Sequence, residues 1–197
     1  AMKQIAKSGR KILFVATKKQ AKIVVADAAK KLDMPYITER WPGGLLTNFS
    51  TIRKSIKKMD GIDKMKTDGT FDTLSKRERL QISRTREKLE INLGSIVKMN
   101  RMPAAIFIID INKEHIALKE AAKLGIRSFA VTDTNTNPAL VNYPIPGNDD
   151  ASKSISHIVE VVTQAISEGL SERSAEQDKK ALEKQKQAKK ISEEAKK

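Results

Sequence analysis

Three groups of side chains in this sequence have the types and spacing to do chemistry. The first is Thr17-Lys18-Lys19-Gln20, which follows an apolar run and opens a helical pattern, with Lys22 one step further on. Amides at a helix start, together with ammonium groups, can hold a phosphate. The glycines of a P-loop are missing, so the backbone cannot wrap a triphosphate. The second group is Arg40-Trp41, holding the only Trp in the chain and followed by Pro42-Gly43-Gly44. A guanidinium and an indole can stack on an unpaired base or grip a phosphate. The same stretch also reads as geometry, because Pro fixes φ and the glycines permit a tight reversal. The third group is Arg53, Lys54, Lys57, Lys58, Arg77, Arg84 and Arg86, within residues 53–101, where fourteen Lys/Arg stand against seven acids. No Glu is matched to them at four-residue spacing, so self-compensation fails and contact with a phosphate backbone is expected.

Other chemistries have less support. Asp110 and Asp133 end apolar runs, a layout that can hold magnesium, but each also reads as a cap of the following turn. His115 and His157 fall on charged, helix-forming stretches and read as solvated surface residues. With no Cys and two His, disulfides and thiolate metal sites are excluded, and the two His cannot build a zinc site alone. No run approaches the roughly 18 apolar residues of a membrane span. Neither metal nor cofactor is expected.

These groups need elements to position them. Lys11–Ala16 and Ala104–Ile109 are unalternating apolar runs, as strands covered on both faces are. Ser128–Thr132 is a further strand, and Tyr143–Pro146, with its two Pro, suits a sheet edge. Ala21, Val25, Ala28 and Leu32 repeat at helical spacing before the short strand Tyr36–Thr38, which makes a strand–helix–strand crossover. Residues 114–124 form another helix, and a last one, capped by Asn148-Asp149-Asp150, carries Ile155, Ile158, Val162 and Ile166 and closes at Gly169. Between the two halves of this α/β pattern, Phe49, Ile52, Ile56 and Met59 step along one helix, while Ile82, Leu89, Leu93 and Ile96 step along a second. The second is announced by the capping box Ser75-Lys76-Arg77-Glu78. Together they predict a protruding hairpin with a narrow apolar seam, resting on the body or a partner at its base.

The domain plan is therefore an α/β/α body over 1–47 and 102–170, an inserted hairpin over 48–101, and a charged tail over 171–197. The tail has only Leu182 and Ile191 as large apolar residues and reads as disordered or ordered by a partner. Net charge is +14, concentrated at the start and in the hairpin: residues 1–31 carry nine Lys/Arg and one Asp, whereas 102–170 carry five against eight acids. Such asymmetry favours a polyanionic partner touching selected faces. Three functions fit: an rRNA-organising protein, a nucleotide- or phosphosugar-binding enzyme using the strand ends near Thr17, Asp110 and Asp133, and a protein-interaction module docking through the hairpin seam.

Four stretches carry a resemblance. Phe14–Ala21, Arg40–Asn48 (Arg-Trp-Pro-Gly-Gly-Leu-Leu-Thr-Asn), Asp133–Pro138 and Ile145–Ala151 resemble the bacterial small ribosomal subunit protein two family, in the family's order and with a two-helix insertion in the family's place. The resemblance spans about residues 5–170 and implies a flavodoxin-like, three-layer α/β/α body with a parallel sheet and a protruding helical coiled hairpin. It implies a non-enzymatic, ribosome-bound protein of the cytoplasm that binds small-subunit 16S rRNA and neighbouring ribosomal proteins. It further implies help in recruiting ribosomal protein one near the mRNA exit. Carried over, Lys18, Lys19 and Arg40 are candidate rRNA contacts, joined by Lys22, Trp41 and the hairpin cations. Family members usually begin with a segment holding Gly-Val-His-Phe-Gly-His, and this chain starts after it. The charged tail departs from the common pattern.

Overall fold

A computed structural model describes the backbone of residues 1–194 and the side chains of residues 1–178. Five strands form one parallel sheet: β1 (Ile12–Val15), β2 (Tyr36–Ile37), β3 (Ala105–Ile109), β4 (Arg127–Thr132) and β5 (Tyr143–Pro146), in the order β2-β1-β3-β4-β5. That order is the flavodoxin-like doubly wound arrangement, and its chain reversal lies between β1 and β3. Every residue of β1 and β3 is buried, because helices cover both faces of the sheet. The Pro-containing β5 pairs on one side only, as an edge strand lacking two ladder donors must.

The two faces bury separate cores. On one, Ile12, Phe14, Phe107 and Val131 meet α2 (Lys19–Lys31), the start of α6 (Ser152–Glu194) and the short α1 (Met2–Lys7). Phe14 and Phe107 meet edge to face at 5.5 Å. On the other face, Leu13, Val15, Ile106 and Ile108 pack against α5 (His115–Lys123) and Trp41, Leu45 and Leu46. They also meet the root of the hairpin through Ile56, Leu93 and Ile96. The hairpin comprises α3 (Phe49–Thr67), a 3₁₀ turn (Thr70–Thr73) and α4 (Lys76–Leu93). It occupies the β2-to-β3 connection, where a right-handed crossover would otherwise place a helix, and its root completes the second layer.

The last helix does not close at Gly169. It runs on to Glu194. Gly169 instead marks the crossing with α1, where a Cβ would fall 2.3 Å from the Lys3 carbonyl oxygen. Helix propensity in this Lys/Glu/Gln/Ala-rich segment is high, so a single Gly costs only about 1 kcal/mol and does not stop it. Ion pairs flank the crossing, Lys3 to Glu168 (3.2 Å) just before it and, beyond it, Lys3 to Glu172 (2.8 Å) and Lys7 to Glu172 (3.4 Å) and Glu176 (2.6 Å). The side chains from residue 179 onward, including Leu182 and Ile191, and all of residues 195–197, lie outside the described residues.

Candidate nucleic-acid interface

Open parallel sheets present ligand crevices at the carboxyl ends of their strands, and here that edge is filled from within. Lys18 caps the start of α2, and its side chain is only 15% exposed. Its Nζ lies 2.7 Å from Asp149 Oδ1, 2.6 Å from Asp150 Oδ1 and 3.7 Å from Asp110 Oδ2. Burial alone would lower the Lys18 pKa, but bonding to Asp149 and Asp150 outweighs it and raises the value. The neighbouring Thr17 is held just as firmly. Its amide (3.2 Å) and hydroxyl both donate to Glu114 Oε1, and Lys113 donates to its carbonyl at 3.1 Å. Burial pushes the Glu114 carboxyl up, against the pull of the two Thr17 bonds.

A phosphate entering here would meet Asp110, Glu114, Asp149 and Asp150 around two ammonium groups, Lys18 and Lys113, that are already committed. Lys18 is therefore a structural strut, and the phosphate-holding expectation for Thr17–Gln20 is corrected at that residue. A lysine stem is long enough to reach acids 131 residues away in the sequence, which local spacing does not reveal. Asp110 and Asp133 act as caps: Asp110 Oδ1 accepts from the Lys113 amide (3.1 Å), and Asp133 accepts from the Thr134 (2.6 Å) and Asp149 (3.4 Å) amides.

Lys18→Met leaves buried Asp149 unpaired, and we expect it to cost about 2 kcal/mol, discounted for the solvent around Asp150. Because the Lys18 pKa is raised, that contribution is complete below the free lysine value of about 10.4 and is lost only above it. The deficit in urea denaturation is accordingly flat between about pH 6 and 9.

The Trp-Pro-Gly-Gly junction is organised around a residue the sequence reading did not single out. Glu120, on α5, is 8% exposed. Its Oε1 accepts from the Trp41 indole (3.1 Å) and the Gly44 amide (2.7 Å). Its Oε2 accepts from the Leu46 (2.9 Å) and Thr47 (3.0 Å) amides and the Thr47 hydroxyl (3.1 Å). Burial by itself would raise the carboxyl pKa, but these donors together hold it below the ordinary glutamate range. Gly44 turns the chain at φ 83°, a conformation that side chains with a Cβ rarely adopt. Trp41 is 7% exposed and packed in the second core, so the expectation that its ring stacks on a base is corrected. Arg40 alone of that pair is exposed. A signal for Glu120 was present, since it sits within a run of core-facing residues (Ala117, Leu118, Ala121) where a lone acid requires donors.

The hairpin carries the remaining cations. The capping box forms: the Ser75 amide donates to Glu78 Oε2 (3.0 Å) and the Glu78 amide to Ser75 Oγ (3.4 Å). Arg86 is not free. Its guanidinium bridges the helices to Asp63 (2.8 and 3.2 Å) and reaches Glu90 one turn on (3.4 Å). This corrects the expectation of no matched Glu at four-residue spacing. Bonding to Arg86 holds the Asp63 carboxyl below its usual range. Arg53 is half-buried at the hairpin root and donates to the Met99 carbonyl (3.4 Å), while Lys22 pairs with Glu39 (2.8 Å). Lys19, Arg40, Lys54, Lys57, Lys58, Arg77 and Arg84 are exposed, with no carboxylate partner among the described residues.

Among the described residues no helix is long and apolar enough to cross a membrane. The family model described as ribosomal protein S2 matches residues 1–169. The chain is 67% identical over 183 residues to the small ribosomal subunit protein uS2 of Flavobacterium johnsoniae, covering 93% of this chain and 72% of that one. It is 65% identical over 176 residues to uS2 of Christiangramia forsetii (89% of this chain, 59% of that one). With uS2 of Cytophaga hutchinsonii it shares 55% over 195 residues (99% and 77%). A doubly wound body whose ligand crevice is closed by its own Lys18, bearing a cationic helical arm, thus agrees with these matches: the chain belongs to the ribosomal protein S2 family, structural and non-enzymatic components of the small ribosomal subunit.

Proposed function

We propose that this chain binds 16S rRNA by neutralising phosphates with cations that its own acids leave unmatched. The observation that carries this reading is the exposed set Lys19, Arg40, Lys54, Lys57, Lys58, Arg77 and Arg84, which lacks carboxylate partners among the described residues. In this reading the body over 1–47 and 102–170 is a platform, the arm over 48–101 reaches along RNA, and the tail over 171–197, whose start α1 holds through Glu172 and Glu176, meets a neighbour further on. The arm's apolar residues Leu80 (52% exposed) and Ile91 (57% exposed) suit contact with neighbouring ribosomal proteins, ribosomal protein one at the mRNA exit among them. The setting is the cytoplasmic ribosome.

A nucleotide-binding enzyme is disfavoured by the carboxylates lining the crevice, which would repel a mononucleotide's phosphates. The full chain, mixed with 16S rRNA in filter binding, is expected to show log affinity falling linearly with log salt, with a slope of several units. Binding that is saturable but indifferent to salt, or absent at about 50 mM salt, would overturn the reading.

A further inference from the structure

The two edges of the sheet carry opposite charge. In a parallel sheet every strand begins on the same edge, and the loops gathered at that edge come from segments far apart in sequence. Arg10 and Lys11 precede β1, Lys98 and Arg101 precede β3, Arg127 opens β4, and Arg173 reaches in from α6. A groove on this edge is lined by Arg10, Lys11, Lys98, Arg101 and Arg173, and no acid lines it. Beyond Ser8, Arg10 and Met102, which it shares with a second depression, the surface continues to Arg127.

Asp33, beside this groove, is taken by Lys98 (2.8 Å) and Lys11 (3.0 Å), whose bonds hold its carboxyl below the usual range, and Glu172, next to Arg173 in the chain, is taken by Lys3 and Lys7. Arg10, Arg101, Arg127 and Arg173 have no carboxylate partner among the described residues. The groove is also shaped for a guanidinium. Gly9, at φ 76°, lies so close under Arg173 that a Cβ there would fall 2.1 Å from Cζ.

We infer that this amino-terminal edge of the sheet is a second phosphodiester-binding surface, engaging an RNA backbone through arginine forks. Guanidinium groups suit this ligand because their planar donors match two phosphate oxygens at once. A carboxylate accepts the same fork, so the choice of a phosphodiester over an acidic protein segment comes from the rRNA reading, and the polyglutamate comparison below separates the two. The inference rests on the rRNA reading above and adds to it a surface distinct from the arm.

The test uses the full chain and 16S rRNA over a salt series, comparing the wild type with Arg10→Gln/Arg101→Gln/Arg173→Gln and with the same triple changed to Lys. The Gln triple is expected to bind about 10-fold or more weakly at 0.1 M salt and to flatten the salt slope by about 2–3, while the Lys triple keeps the slope. Circular dichroism and thermal melting check that each variant is folded. Wild-type affinity in a folded Gln triple, alongside a loss in an arm-neutralised variant, would overturn the inference and leave the rRNA reading standing. Loss of salt-dependent binding by the wild type itself would remove both. Polyglutamate is the competing probe: if it binds the groove with Arg-dependent affinity equal to that of RNA, the surface is a protein-docking site and the inference fails.

Discussion

Replacing Glu120 with Gln is expected to destabilise the protein by about 3 kcal/mol, while Glu114→Gln costs within about 1 kcal/mol, although both are buried glutamates in neighbouring turns. The difference lies in how each carboxylate is used. Glu120 accepts with both oxygens, from the Trp41 indole and three amides as well as the Thr47 hydroxyl. A Gln amide can present an oxygen to only one side, so its NH₂ must face either the Leu46 and Thr47 amides or the Gly44 amide and Trp41 indole. Donors then oppose donors in a buried site, which leaves several groups unsatisfied at once. Glu114 receives both Thr17 bonds on a single oxygen, which a Gln carbonyl can replace.

The pH dependence separates the two further. The Glu120 pKa is lowered, so its contribution is present above the free glutamate value of about 4.3 and is lost as pH falls through the folded value. The gap between wild type and Glu120→Gln should therefore narrow as acid is added. The Glu114 pKa is raised, so protonating it favours the folded chain, and the gap for Glu114→Gln shifts in the opposite direction. Urea midpoints at about pH 7 and pH 3.5 measure both. A thermal midpoint for Glu120→Gln within a degree of wild type, rather than about 6–12 °C lower, would show that the junction does not depend on this carboxylate.

Neutralising the arm should have the largest effect on RNA. Lys54, Lys57, Lys58, Arg77 and Arg84 are exposed on α3 and α4 and have no carboxylate partner among the described residues. If each meets a phosphate, changing all five to Gln removes five counterion-release events, each worth about 0.7–0.9 in the slope of log affinity against log salt. At 0.1 M salt the expected loss is about 100-fold or more, and it should shrink as salt is raised. Folding should be nearly unaffected, since Gln is a good helix former and the seam residues Ile56, Met59 and Ile62 are untouched. Arg86→Gln supplies the contrast. It breaks the Asp63 bridge and loosens the arm while leaving the salt slope unchanged, because that cation is already matched. An unchanged slope in the five-residue variant would mean that the arm's charge serves solubility.

Much of this protein was legible in its sequence for local reasons. Apolar runs at Lys11–Ala16 and Ala104–Ile109 announced doubly covered strands, Pro144 and Pro146 announced an edge, and Ser75 with Glu78 announced the start of α4, because each signal lies within a few residues of the element it specifies. The Arg-Trp-Pro-Gly-Gly-Leu-Leu-Thr-Asn string likewise marked the junction and, through its resemblance, the family. The sequence also showed that cations outnumber acids. It did not show which cations stay unmatched, because matching is a long-range affair: Lys18 finds Asp149 across 131 residues, and Glu120 gathers amides 73 to 76 residues before it. Trp41 and Lys18 were turned inward by partners that only tertiary packing supplies, and Arg86 found Asp63 across the hairpin although Glu90, one turn on, was visible along the chain. Arg10, Arg101 and Arg127 were brought to one edge because parallel strands all begin there, with Arg173 joining them from α6. Periodicity is set by bonds along the chain, and charge compensation by distances through space, so the first could be read in one dimension and the second required three.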